Sequence, residues 1–126
     1  MKDLKSNIKP EVTIAPAGNR NASVNGTGID LQGFHSAAVT FAPATITDGT
    51  HTPKLQESDD NSTFTDVAAA DQLGTLAALA SDTVQTVGYK GGKRYIRGVV
   101  TVAGATTGGI YAAMVIKGHP DLAPTA

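Results

Sequence analysis

From Ile29 onward the chain is written in short β-patterned segments, each cut off by a cluster of Gly, Pro, Asn, Asp or Ser. That punctuation constrains the fold more than any other feature. Residues 33–42 are apolar on both faces and read as a central strand stopped by Pro43. Thr45-Ile46-Thr47 runs into Asp48-Gly49, a hairpin signal, and then into residues 51–58. Asp59-Asp60-Asn61-Ser62 is expected to close a hairpin onto residues 63–67. Gly91-Gly92 is expected to join strands 84–90 and 93–102, with Ile96, Val100 and Val102 on one face and Tyr95, Arg97, Val99 and Thr101 on the other. A last turn at 104–109 leads into a strand on which Ile110, Ala112, Met114 and Ile116 are expected to face the core.

One segment competes for helix. Residues 67–80 are rich in Ala and Leu, but Gly74 interrupts them, and Ala-rich runs shorter than about 12 residues are marginal helices alone. A loop with at most a turn or two of helix is expected there. Six to eight short strands without a βαβ rhythm predict an all-β fold. The expected form is an antiparallel β-sandwich or barrel, jelly-roll-like, preceded by an extended N-terminal arm.

The arm is the odd part. Ile8, Pro10, Val12, Ile14 and Pro16 alternate with polar or small residues, and a glycine-rich polar loop follows at 18–28. Residues 1–24 therefore read as arm and loop, and 25–126 as the sandwich domain. Two placements are open: an edge strand of its own domain, or a reach across to a neighbour. On the second, Ile8, Pro10, Val12 and Ile14 are the candidate neighbour-binding residues.

At 126 residues and 12.8 kDa there is room for one modest core and no second domain. Charged residues make up only 17%, and the net charge of −1 creates no field for nucleic acid or anionic lipid. Without cysteine there is no disulfide, thiolate zinc site or thiol nucleophile. The start alternates charged and apolar residues, unlike a signal peptide, and no run approaches the roughly 18 apolar residues of a membrane span. Synthesis in the cytoplasm, with no nucleic-acid or membrane partner, is the expectation.

Chemistry is sparse. His35, His51 and His119 fall on different segments at no ligand spacing and read as surface or strand-end residues rather than a metal site. The run Glu57-Ser58-Asp59-Asp60-Asn61 lacks the alternation, central Gly and distal Glu of a calcium loop and reads as a turn. Lys90, Lys93, Arg94 and Arg97, interleaved with Tyr89 and Tyr95, have the residue types of a single-strand nucleic-acid surface. In a chain of near-zero net charge they read better as a solvated face or a protein contact. Asn-x-Ser/Thr triplets begin at Asn21, Asn25 and Asn61 and mean nothing for glycosylation without a secretory signal. No phosphate loop, nucleophile elbow or metalloprotease helix occurs, so no catalytic residue, metal or cofactor is expected.

Three runs carry a family resemblance: Ile46-Thr47-Asp48-Gly49-Thr50-His51-Thr52-Pro53-Lys54-Leu55-Gln56-Glu57-Ser58-Asp59-Asp60, Val87-Gly88-Tyr89-Lys90-Gly91-Gly92-Lys93-Arg94-Tyr95-Ile96-Arg97, and Val102-Ala103-Gly104-Ala105-Thr106-Thr107-Gly108. Over roughly residues 29–122 the chain resembles capsid decoration (cement, or auxiliary head) proteins of tailed bacteriophages. Such proteins commonly carry a large aromatic at the positions of Pro53 and Phe64; Pro53 is a departure, because proline is poorly tolerated in a strand except at edges. The resemblance implies a β-rich structural virion protein on the outer capsid surface. It would stabilise the shell, often as a homotrimer cross-linking subunits of the major capsid protein. The remaining expectations are a neck or tail component of the virion, or a carbohydrate-binding sandwich module, the latter poorly served by 5% aromatics and no Trp.

Overall fold

Residues 4–121 are described by a computed structural model, and strands occupy most of the alternating segments. In chain order they are β1 (Ile8–Ile14), β2 (Val24–Asn25), β3 (Ile29–Asp30), β4 (Phe34–Ile46), β5 (Thr50–Ser58), β6 (Thr65–Asp66), β7 (Gln72–Leu73), β8 (Gln85–Tyr89), β9 (Tyr95–Ala103) and β10 (Gly109–Pro120). Single 3-10 turns at Lys5–Asn7 and Ala69–Asp71 supply the helical content, as expected for the Gly-interrupted segment.

Every pairing is antiparallel. One sheet runs β1-β10-β4-β8-β7; the other runs β2-β9-β5-β6, with β3 also on β9. The first strand pairs with the last, β2 and β3 with β9, β4 with β8, and β5 with β6. Rolling that ribbon up adds the pairs β10·β4 and β5·β9. With β2 and β3 counted as one broken strand, this is the strand order of a jelly roll. The all-β sandwich is the fold.

The core lies between the sheets. Ile14, Val39, Phe41, Val87, Tyr111, Ala113 and Val115 from the first sheet meet Ile29, Leu55, Ile96 and Val100 from the second. Polar links cross the same gap. The Tyr89 hydroxyl donates to Glu57 Oε1 at 2.8 Å, and burial together with that bond pushes the phenol up to about 12. Lys117, 5% exposed, donates from Nζ to the Asp30 carbonyl at 3.1 Å and pairs with Glu11 on β1. His51 is 1% exposed, with Nδ1 3.3 Å from the Tyr111 hydroxyl and Nε2 3.0 Å from the Asp48 carbonyl. Of the two expected placements, surface or strand end, it takes the strand end, at the start of β5, and is buried there.

Several local expectations change once the sheets are known. Asp48-Gly49 and Gly91-Gly92 close no hairpin, since β4 and β8 belong to the first sheet and β5 and β9 to the second. Both turns carry the chain across the sandwich, as does 104–108. The Asp48 carboxylate accepts backbone N–H bonds from Thr106, Thr107 and Gly108, which hold its pKa below the ordinary value. Asp59-Asp60-Asn61-Ser62 does turn β5 into β6: Asp60 Oδ1 accepts from Ser62 and Thr63, and Asn61 takes φ 59.

Pro43 does not stop β4, which continues to Ile46. β8 flanks β4 only from Ala37 to Phe41, so Pro43 has β10 alone as neighbour. Pro53 sits likewise where β5 pairs with β9 and is not yet joined by β6. Each proline occupies a stretch with one ladder partner, where its missing donor costs little.

The N-terminal segment is part of the sandwich. β1 pairs residue by residue with β10, from Ile8↔Gly118 to Ile14↔Ala113. Between Val12 and Ile14 the register shifts, and the bulge turns both Thr13 and Ile14 inward. Thr13 Oγ1 accepts from Gly98 N at 3.1 Å and donates to the Thr27 carbonyl at 2.8 Å. The glycine-rich loop that follows is stitched on as well. Gly26 N donates to the Gly98 carbonyl, and a Cβ at Gly26 would stand 2.4 Å from Thr13 Oγ1. Of the two placements left open for residues 8–14, the edge strand of the chain's own domain is the one observed.

Candidate interaction face

Directly opposed residues in antiparallel strands share a face, so the register defines both surfaces of the first sheet. The inward rows include Glu11–Val115–Val39–Val87 and Ile14–Ala113–Phe41–Gln85. The outward rows are Ile8–Gly118–Ser36, Pro10–Ile116–Ala38–Gly88–Leu73, Val12–Met114–Thr40–Thr86, and Ala112–Ala42. None of the residues in these outward rows is charged. Their polar content is hydroxyl, and two of those hydroxyls satisfy each other, Thr40 Oγ1 and Thr86 Oγ1 lying 3.1 Å apart.

Among the described residues the exposed large apolar side chains are Leu4, Val12, Leu73, Val84 and Met114. Val12, Met114 and Leu73 belong to the outward rows. Leu4, 67% exposed, overhangs one end of them and lines a groove of about 620 Å3 with Ile8, Ala38, Ile116 and Pro120. Val84 directly precedes β8, in phase with the outward Thr86. Leu4, Val12, Leu73 and Met114 thus gather on one side of the molecule. Scattered apolar side chains are ordinary on a monomer; a contiguous patch is not.

The other sheet presents a different outer surface. Its outward rows are Asp30–Tyr95–Ser58, Asp66–Gln56–Arg97, Asn25–Val99–Lys54, and Thr52–Thr101. Lys54 pairs with Asp66 at 3.1 Å and, beside these rows, Arg94 with Asp30 at 2.8 Å. The Arg94 guanidinium holds Asp30 down at about 2. Arg97 donates to Gln56 Oε1 and stacks 4.1 Å over the Phe64 ring, and Lys93 pairs with Asp59 at 2.8 Å. The basic–aromatic residues singled out in the sequence do not form one surface: Tyr89 is buried at the end of β8, and Lys93, Arg94 and Arg97 each have an internal partner.

The sequence-derived binding residues divide. Ile8, Pro10 and Val12 lie in the outward rows. Ile14 does not: it is 1% exposed and part of the core, because the bulge reverses its side. On β10 the expected orientation is inverted. Tyr111, Ala113 and Val115 fill the core, while Ala112, Met114 and Ile116 face outward. Met114, Ile116 and Leu73 are therefore face residues that sequence reasoning missed.

Polar chemistry elsewhere is local. His35 pairs with Asp121, and His119 Nδ1 lies 2.7 Å from Ser36 Oγ, at the end of the sandwich where β4 begins. Among the described residues no three His, Asp or Glu side chains gather as a metal site would require.

No family model and no curated protein sequence matches the chain. Among solved structures it is similar to the crystal structure of the SPBc2 prophage-derived protein YomS, with a TM-score of 0.59 at 12% identity over 93% of this chain and 97% of that one. At that identity the likeness speaks for the fold.

Proposed function

We propose that this chain is a structural protein of a tailed-phage particle, placed on the outer surface of the capsid, where it decorates and stabilises a shell of major capsid protein. The observation that carries this reading is the asymmetry of the sandwich: one outer sheet face is uncharged and gathers the exposed apolar side chains, while the other is a mesh of internally paired charges. A molecule built this way has one side for a partner and one for water. The resemblance in the 46–60, 87–97 and 102–108 runs supports a decoration role. The prophage origin of a similarly folded protein supports a phage setting. No catalytic step, cofactor or metal enters the proposal. Self-association into trimers, which the resemblance implies, would draw on the remaining polar edges and loops.

Many weak identical contacts on a symmetric shell hold collectively through avidity, so a modest face suffices. The test is reconstitution. Purified protein is added to shells assembled without it, and their loss of integrity is followed against temperature. Saturable binding together with a higher disruption temperature is expected; absence of binding, or shells equally robust without the protein, contradicts the reading.

A further inference from the structure

We infer that the outward face of the β1-β10-β4-β8-β7 sheet is the shell-contacting face, and that the shell surface it meets is itself flat, uncharged and apolar. This rests on the decoration reading and adds to it the side of the molecule and the chemistry of the partner.

Charge decides the side. A face without a charged group gains nothing from charges opposite it, and would strip water from them without offering a partner. The complementary surface is therefore apolar, since Thr40 and Thr86 already bond each other and Ser36 bonds His119. The β5–β9 surface is the reverse case. Lys54 pairs there with Asp66 and Arg94 with Asp30, while Arg97 donates to the Gln56 amide, and covering them would desolvate charges that rest comfortably in water.

Area decides between a shell and a lone second copy. With about 4.8 Å between strands and about 3.4 Å per residue, the outward rows span roughly 20 by 25 Å, or about 500 Å2 per partner. A face-to-face pair would bury about 1,000 Å2 in total, below the 1,200–2,000 Å2 typical of stable specific complexes. One such contact is weak. Repeated over a lattice of shell sites by linked copies, it holds. The groove under Leu4, lined by Ile8, Ala38, Ile116 and Pro120 and also by Ser36 and His119, gives an otherwise flat contact its register by receiving one protruding side chain.

The experiment measures binding to shells assembled without the protein, for the wild type and for single variants on each face. Met114→Asp and Leu73→Asp place a charge on the proposed face at exposed positions, so folding is retained and is verified by thermal unfolding. Each is expected to weaken shell binding by roughly tenfold or more. Lys54→Glu, on the opposite surface, is expected to change it less than about twofold. Raising salt to roughly 1 M, where the screening length is about 3 Å, leaves wild-type binding intact or tightens it. If the wild type binds but high salt releases it, or Lys54→Glu abolishes binding while both aspartate variants bind normally, the face assignment is overturned and the decoration role survives. If the wild type does not bind shells at all, both fall. Folded aspartate variants that instead prevent self-association while leaving shell binding unchanged would assign the face to a second copy and overturn the inference.

Discussion

Replacing Ile14 with Ala separates a built-in first strand from a loose arm, and the bulge at Thr13 supplies the control two residues away. Ile14 is 1% exposed and packs in the core shared by both sheets, whereas Val12 on the same strand is 44% exposed on the outward face. Truncating a buried Ile to Ala costs about 2–5 kcal/mol, from lost transfer free energy plus the cavity left behind. Against a total stability of about 5–15 kcal/mol for a domain this is a large fraction. For a chain of this length, between the small and large domains for which the conversion is known, each kcal/mol moves Tm by about 4 °C. Ile14→Ala is thus expected to lower Tm by roughly 8–20 °C, and Val12→Ala by no more than about 2 °C, since exposed substitutions stay within about 0.5 kcal/mol. Differential scanning calorimetry of the two variants beside the wild type is the assay. An Ile14→Ala protein melting within about 2 °C of wild type would refute the placement of β1 in the sandwich and restore the arm as a separate element.

Acid stability follows from the carboxylates. Asp30, beside Arg94, is held at about 2, and Asp48, Asp60 and Asp66 are lowered by backbone N–H groups or by Gln56 and Lys54. Groups with depressed folded-state pKa stabilise above their unfolded value of 3.8 and lose that contribution as pH falls through the folded one. The denaturant midpoint is therefore expected to be flat near neutrality and to fall between about pH 4 and pH 2; a midpoint unchanged across that interval contradicts the carboxylate contacts. Gly26→Ala drives a methyl to 2.4 Å from Thr13 Oγ1 and 2.5 Å from the Gly98 carbonyl, and is expected to cost about 1–3 kcal/mol in urea unfolding. A neutral result there would mean that the crossing of β1 and β9 is looser than described.

How much of this was legible in the sequence depends on what each residue's neighbours decide. Strand content was readable, because turn formers and alternation are local signals. The β5–β6 hairpin was readable for the same reason: in a rolled ribbon it is the one tip where sequence neighbours pair across a short turn. Asp48-Gly49 and Gly91-Gly92 carry the same kind of signal, yet in a jelly roll such turns change sheets, and the choice is made by strands distant in sequence. β10 was read inside out because it is apolar on both sides, so alternation alone cannot choose a face. Lys117 lies in phase with the inward Tyr111 and Val115. Its burial becomes intelligible only beside Glu11 and the Asp30 carbonyl, from two other strands. The bulge that turns Ile14 inward likewise arises from pairing with β10 and leaves no mark in the alternation of residues 8–14. The interaction face was half visible, in Ile8, Pro10 and Val12. Its other half, Met114, Ile116 and Leu73, comes together only when β10 pairs with β1 and β4, and β8 with β4 and β7.

A cryo-electron microscopy reconstruction of an intact particle carrying the protein tests the central claim most directly. The account predicts hundreds of copies on the outer shell, each with Val12, Met114 and Leu73 against the capsid surface and Lys54 and Arg97 toward solvent. Around six or twelve copies at the neck, or copies seated on the charged β5–β9 surface, would contradict it.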